Sequence, residues 1–329
     1  MPNSVSDLLH QHAECGDLSP PALERALELA EVLPSAQRWR WLLDRLLLIA
    51  GAVFLVLGVL FFFAFNWDDI GRLGKLAVGQ LALLIALGFA LWRGVKNLTG
   101  KMALFCACFL TGVVLAIFGQ VYQTGADPWQ LFATWAALIL PWAIIGRFSG
   151  IWVLWVAVVN VAISLYWQRW GWFDHRSDAL FLTLALFNLS ALIVWEWGLQ
   201  RGIDWLAARW PARLLAATGL FHLSVLAIIV VFSKADHVFM PRALTLLLYP
   251  ALLVGMYLLH RLIWRDLFVL TLCALSQIVV VTCAIGHWLF EASRYHAVEG
   301  IFLLLAALVV GQSAFWAVML RKIQQEDSE

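Results

Sequence analysis

Two sets of side chains in this 329-residue chain are placed where they could do chemistry. The first gathers carboxylates, amides and aromatic rings on two short polar junctions. One junction carries Asn66, Trp67, Asp68 and Asp69; the other runs Gln120, Tyr122, Gln123, Thr124, Asp127 and Trp129. A carboxylate supplies charge, amides and hydroxyls supply hydrogen bonds, and an indole supplies a face for a cation or an apolar ring. Together they suit a cleft for a cation or a hydroxyl-rich solute. Each residue also has a plainer reading. Asp127 precedes Pro128 and would cap the helix that follows, and Trp67 and Trp129 would serve as anchors at a membrane surface.

The second set is apolar in its surroundings. Asn160, Asn188, His222, Gln277 and Gln312 each fall about 7 to 10 residues into a long apolar stretch, which is close to the middle of a bilayer. A polar group at that depth needs a partner. Either each residue bonds one neighbouring helix to another, or the five share a polar core or cavity. His222 is the only titratable group so deep, either a proton carrier or a neutral ring bonded to an amide.

Other chemistry finds no support. No stretch holds Asp, Glu, Lys or Arg near its centre, and Glu196 and Glu299 fall at stretch ends, where water is expected to reach them. The phosphate-binding GxxxxGK[ST] loop is missing. Asp68, Asp127, His175, His237 and His287 have no ligand spacing, and Cys106, Cys108, Cys273 and Cys283 read as apolar fillers. No catalytic residue, metal or cofactor is expected, and the balance leans away from an enzyme. A net charge of +1 argues against nucleic acid as a partner.

What must position these residues is a membrane bundle. The chain is 63% hydrophobic and 13% charged, with 19 tryptophans. About 20 apolar residues in helix cross the hydrocarbon core, and lipid forbids unpaired backbone. The expected spans are 46–65, 76–92, 103–122, 129–146, 151–167, 179–197, 213–232, 243–260, 267–290 and 298–320, the second and fifth being short. The fold class is all-α, a polytopic bundle of about ten spans with a short N-terminal cytoplasmic helical pair. With ten crossings both termini share a face, and that face holds 15 of the 22 Lys and Arg residues. Basic residues stay inside, so both termini are expected in the cytoplasm of a bacterium, the protein lying in its inner membrane. Trp39, Trp41, Trp67, Trp92, Trp129, Trp167, Trp170, Trp172, Trp195, Trp197 and Trp288 cluster near span ends as a belt would.

The layout is a helical pair over 1–37, a juxtamembrane anchor over 38–45, a first membrane region over 46–165, a second over 166–320 and a solvated acidic tail over 321–329. In the pair, Val5, Leu8 and Leu9 form one apolar face and Gly16 ends the first helix. Ser19 caps the second with Pro20 in its first turn, its stripe is Leu23, Ala26, Leu27 and Ala30, and Pro34 ends it. Such a pair packs on itself or on a partner. The pair with its Gly-x-Leu-Ser turn, Asn66-Trp67-Asp68, and the run from Phe118 to Trp129 resemble a bacterial family of predicted membrane proteins, domain of unknown function 2157. The resemblance covers about 5–165 and implies a multi-pass inner-membrane protein, with no residue roles to carry over. Arg45-Leu46-Leu47 with Gly51 is echoed by Arg213-Leu214-Leu215 with Gly219, and Gly119 by Gly286, which would make spans one to four and seven to ten a parallel repeat.

The leading functional expectation is a solute-handling or permease-like protein. Its partners would be the lipid bilayer and a small polar or cationic solute. The alternative is a scaffold or sensor whose N-terminal helices bind a cytoplasmic or membrane protein partner.

Overall fold

The computed structural model describes residues 5–30, 32–33, 35–169, 177–233, 241–293 and 298–326. Among them there are twelve α-helices and no strand. They are α1 (Val5–Glu14), α2 (Pro20–Leu29), α3 (Ala36–Phe65), α4 (Arg72–Arg93), α5 (Leu98–Tyr122), α6 (Pro128–Gly146), α7 (Ser149–Gln168), α8 (Ser177–Gln200), α9 (Arg209–Phe232), α10 (Arg242–Leu262), α11 (Leu267–Ser293) and α12 (Val298–Glu326). A 3₁₀ turn, Asp204–Leu206, joins α8 to α9.

Ten of these helices, α3 to α12, are long and apolar enough to cross a membrane. The fold class is therefore the expected all-α polytopic one. The helices outrun their apolar stretches because polar residues continue the helix at either end. The first and last spans gain most, α3 reaching 30 residues and α12 reaching 29, and the two short ones reach 22 in α4 and 20 in α7. For the same reason the juxtamembrane stretch 38–45 is continuous with the first span. It forms the first turns of α3, whose cap Ser35 accepts a hydrogen bond from the Arg38 backbone N–H.

Two compact units meet within α5, Met1–Val114 and Leu115–Glu329. In the first, α1 packs on α2. Leu27 is buried, with Leu9, Ala13, Leu23 and Ala26 half-buried around it. Of the expected face of α1, Leu9 is half-buried together with Ala13, whereas Val5 and Leu8 are exposed. Gly16 makes the turn at φ +84°, a conformation glycine adopts without Cβ strain. Ser19 sits at the cap of α2, but its hydroxyl makes no cap bond. Pro34 lies outside the described residues. In α3 and α4 few residues are buried. The Cys106 thiol of α5 donates to the Ala52 carbonyl of α3 at 3.8 Å.

The second unit has a continuous core built on α9. That helix packs against α8, α10 and α11, while α7 flanks α8, α6 flanks α7, and α12 flanks α11. Leu192, Ala216, Leu223 and Val230 are wholly inaccessible. The close approach of α8 to α9 depends on Gly219: a Cβ there would come within 2.7 Å of Leu189 Cδ2. Gly286 is also tight, 3.3 Å from Leu305, whereas Gly51 and Gly119 face open space. The glycines aligned by the internal repeat thus sit in unlike surroundings.

Trp39, Trp41, Trp92, Trp197 and Trp288 are exposed near helix ends, as a belt requires. Trp195 is not one of them. It is buried in the core against Trp205. Trp170 and Trp172 lie outside the described residues. The acidic tail is tied back by an ion pair between Glu326 and Arg261, and 327–329 lie outside the described residues.

Candidate functional site

The Asn66–Asp69 junction belongs to the first unit. Asn66 closes α3, its side-chain amide donating to the Phe62 carbonyl at 2.9 Å. Trp67 carries the Lys75 ammonium 4.0 Å above its ring. Asp68 and Asp69 are exposed. Two of the four candidates are therefore engaged locally.

The other junction belongs to the second unit and encloses a cleft of ≈ 550 Å³ between the end of α5 and the start of α6. Gln120, Gln123 and Asp127 line it, as do Thr124, Gln130 and Thr134. The chain turns tightly here, with positive φ at Gln123 and Gly125. Tyr122 and Trp129 do not line the cleft. One turn of helix brings the Tyr122 ring onto Phe118, 4.7 Å away, and Trp129 meets Tyr166 edge to face. The polar part of the wall is thus mainly amide and hydroxyl, set among Leu115, Phe118, Ala126, Pro128 and Leu131. Asp127 takes the N-cap position of α6 with extended backbone, yet its carboxylate makes no cap bond. It faces Arg169 at 3.3 Å instead, which offsets the negative charge expected at this site.

The midplane residues resolve into separate groups. Asn160 of α7 and Asn188 of α8 exchange amide hydrogen bonds of 3.2 and 2.7 Å, and the Thr218 hydroxyl of α9 donates to the Asn188 oxygen at 3.2 Å. Gln277 of α11 donates to Gln312 of α12 at 2.8 Å and accepts from Trp316 Nε1 at 2.6 Å, while Gln312 donates to Thr282. Between them lies a trio not expected from the sequence, Ser224, Ser276 and Tyr249, with contacts of 2.7 and 3.1 Å. Polar groups one helix apart find each other before they can build a wider network.

His222 joins neither amide group. It helps line a cavity of ≈ 280 Å³ enclosed by α7, α8 and α9, with Trp152, Val156, Asn160, Asn188, Trp195 and Thr218. Three of these residues carry a nitrogen that is fully buried and makes no hydrogen bond, Trp152 Nε1, Trp195 Nε1 and His222 Nδ1, so the cavity wall itself is mainly apolar. The Thr218 carbonyl, one turn back, pulls weakly on the His222 ring without a bond of ordinary geometry. An indole can only donate. Trp152 and Trp195 each contact Trp205, the former stacked at 6.0 Å, so the rings are held in place. The sequence held a signal for this pair. Trp152 precedes Asn160 by eight residues and Trp195 follows Asn188 by seven, spacings that keep a side chain on one helix face.

The structure corrects the reading of Glu196. It is only 1% exposed and receives both bonds of the Arg209 guanidinium, at 3.1 and 2.9 Å. Arg209 also donates to the Trp264 carbonyl. Asp266, 2% exposed, accepts from Arg213 at 3.2 Å and from the Phe268 backbone N–H at 3.0 Å, capping α11. His260, wholly buried, is bonded to the Met256 carbonyl beside it. Only the i,i+4 pair Arg209 and Arg213 hinted at this cluster.

His287 lies 3.5 Å from Glu291; His175 and His237 lie outside the described residues. Among the described residues no group of three His, Cys, Asp or Glu is placed to hold a metal. All five cysteines are free thiols.

No curated protein and no solved structure matches the chain. Residues 10–152, from α1 to the first turn of α7, match the family described as predicted membrane protein (DUF2157). The match includes the α5–α6 cleft and, of the α7–α9 cavity, only Trp152. Over that N-terminal stretch the chain is similar to the DUF2157 predicted membrane proteins, in accord with its ten membrane-length helices.

Proposed function

We propose that this multi-pass membrane protein handles a small solute, in the manner of a permease, and that the α7–α9 cavity is where the solute binds. The carrying observation is a space of ≈ 280 Å³ left between α7, α8 and α9, with a mainly apolar wall and the bonded Asn160–Asn188–Thr218 group on its lining. Protein interiors are close-packed, and voids larger than a water molecule are few. A space of this size between three helices favours one meant to be filled. The α5–α6 cleft, rich in amides and hydroxyls, is proposed as an outer recognition surface for the same solute.

In this reading the membrane is the bacterial inner membrane with both termini cytoplasmic, supported by the distribution of Lys and Arg. Reporters fused after Gln200 and at the C terminus then read cytoplasmic, and one inserted within 123–128 reads external. For the activity, purified protein in lipid vesicles is given a panel of labelled solutes. Movement of one solute, abolished by Val156→Trp within the cavity, is the expected result. If no solute moves with either protein orientation, the permease reading is lost.

One observation favours a second reading, a scaffold or sensor. The α1–α2 pair leaves Val5, Leu8 and Leu29 exposed, Leu29 by 73%. If removing residues 1–35 ended the cellular role while Val156→Trp did not, the helical pair rather than the cavity would carry function.

A further inference from the structure

We infer that a groove between α3, α4 and α5 holds an anionic phospholipid, with an acyl chain along the groove and the phosphate on the basic residues at its end. The site lies within the first unit and does not depend on the solute reading of the α7–α9 cavity.

Three observations carry it. The first is the groove itself, a space of ≈ 610 Å³, inside the range of about 300–1,000 Å³ that suits a small ligand. Gly51 and Ala52 of α3, Ala86 of α4 and Ala103 of α5 line it with little side chain, which gives it depth. A Cβ built on Gly51 would meet nothing within 4 Å, so the protein leaves the space beside α3 unfilled.

The second is its chemistry. No charged residue lines it, and the Cys106 thiol is engaged with the Ala52 carbonyl. Leu47, Ile85 and Phe89 line it and are also exposed on the flanks of their helices. The groove therefore opens sideways along apolar surface, where hydrocarbon chains run in a bilayer. An acyl chain needs no hydrogen-bond partner there.

The third is charge at one end. The groove uses the first half of α3, the later half of α4 and the first turns of α5, so it runs toward the turn between α4 and α5. Arg45, Arg93, Lys96 and Lys101 stand at that end. Arg45 precedes the lining residue Leu48 by three positions and shares its helix face. The Arg93 guanidinium lies 6.0 Å from the centre of the Phe89 ring. Lys101 adjoins the lining residue Met102, and Lys96 sits on the turn. That turn is fixed. The Asn97 side-chain amide donates to the Arg93 carbonyl at 3.0 Å, and a Cβ at Gly100 would run into the Gly94 carbonyl oxygen. Over 36–55 and 82–106 the one acidic residue is Asp44. Among the described residues none of the four basic side chains has an acidic partner. An anionic headgroup supplies the missing charge.

A neutral lipid fills the groove and leaves its basic end unmatched. A second copy of the chain fits worse. Copies in one membrane face the same way, so a symmetric pair joined through this groove sets basic end against basic end.

The test uses the full chain in nanodiscs of dioleoylphosphatidylcholine doped with phosphatidylglycerol that carries a diazirine in one acyl chain. Light attaches the bound lipid, and peptide mass spectrometry reads where. Labelling of α3, α4 and α5 should saturate. At equal mole fraction it should exceed by about tenfold the labelling by phosphatidylcholine with the same diazirine. One basic residue near a membrane surface is worth about fivefold in binding, so Arg93→Gln with Lys101→Gln should remove the preference. Arg321→Gln on α12 should leave it unchanged. In the parent chain, about 1 M salt should narrow it without any substitution. Gly51→Leu, whose side chain enters the open groove, should lower labelling by both probes and leave thermal unfolding close to the parent's.

Equal labelling by the two probes overturns the inference. So does a preference that survives Arg93→Gln with Lys101→Gln, or labelling that Gly51→Leu does not reduce. A dimer in native mass spectrometry that Gly51→Leu dissociates would place a second copy in the groove and overturn it as well. None of these results bears on the α7–α9 cavity, so the two proposals fail separately.

Discussion

Helix α8 carries two buried polar residues eight positions apart, Asn188 and Glu196, and they end in contrasting surroundings. Both oxygens of Glu196 accept from one terminal nitrogen of Arg209, inside a cluster in which Arg209, Arg213 and Asp266 are also paired. Asn188 has its own partners too, but it lines a ≈ 280 Å³ space left between α7, α8 and α9. A polar group closed in by packing holds helices together and asks for nothing more. One beside an unfilled space points to something that fills it. Charge alone would have ranked these two regions the other way, with the ionic cluster as the more functional. Packing is the better guide, because an unfilled space forfeits the contacts that close-packed neighbours make.

The contrast is broken or sharpened most strongly by the ion pair. Arg209→Ala strands Glu196 without a partner, and leaving a buried charge uncompensated costs about 3–5 kcal/mol. Thermal and denaturant unfolding in detergent should show that loss, with Arg209→Lys intermediate because a single ammonium cannot hold Glu196 and reach the Trp264 carbonyl at once. Next in size is Gly219→Val, which drives a side chain into Leu189 and should cost about 1–3 kcal/mol by overpacking. Gly51→Val, in the first unit and facing open space, should lose far less. Equal effects at the two glycines would mean that their packing is alike after all, and would revive the internal repeat.

Smaller again is Asn188→Leu. It removes an interhelical amide bond, worth about 1–2 kcal/mol at most inside a membrane, and should reduce solute binding as well. Gln312→Leu should cost a similar amount of stability and leave binding untouched, since its group does not reach the cavity. The smallest effect belongs to Asp127. Its carboxylate makes no cap bond and pairs with an exposed Arg169, so Asp127→Asn and Asp127→Ala should each change stability by no more than about 1 kcal/mol. A large loss in Ala with none in Asn would restore the capping role that its sequence position suggests.

Much of the fold was legible because lipid imposes a single rule, a long apolar run in helix, and the runs are plain. Helix ends were less so. Arg72 and Ser149 carry no apolar signal, yet α4 and α7 begin at those residues. The depth of Asn160, Asn188, Gln277 and Gln312 could be counted along the chain, but not which helices face each other, and that decides whether five polar residues make one core or several pairs. Tryptophan was the most deceptive residue. Near a span end it fits a lipid interface and a packed core equally well, and only the contact with Trp205 places Trp195 inside. Glu196 misled for a related reason. Closeness to a helix end suggested water, while Arg209, brought over by the turn between α8 and α9, closes it off. In the external set, Gln120, Gln123 and Asp127 do gather at one cleft because the junction is short; the rings of Tyr122 and Trp129 turn away to partners one turn or one helix distant.

The central claim is that the cavity between α7, α8 and α9 is a binding site, and an experimental structure of the protein in native lipid tests it most directly. The account predicts non-protein density longer than a water molecule, touching Val156 and Leu215. Isolated water peaks in the space, or helices closed together with no space left between them, would contradict it.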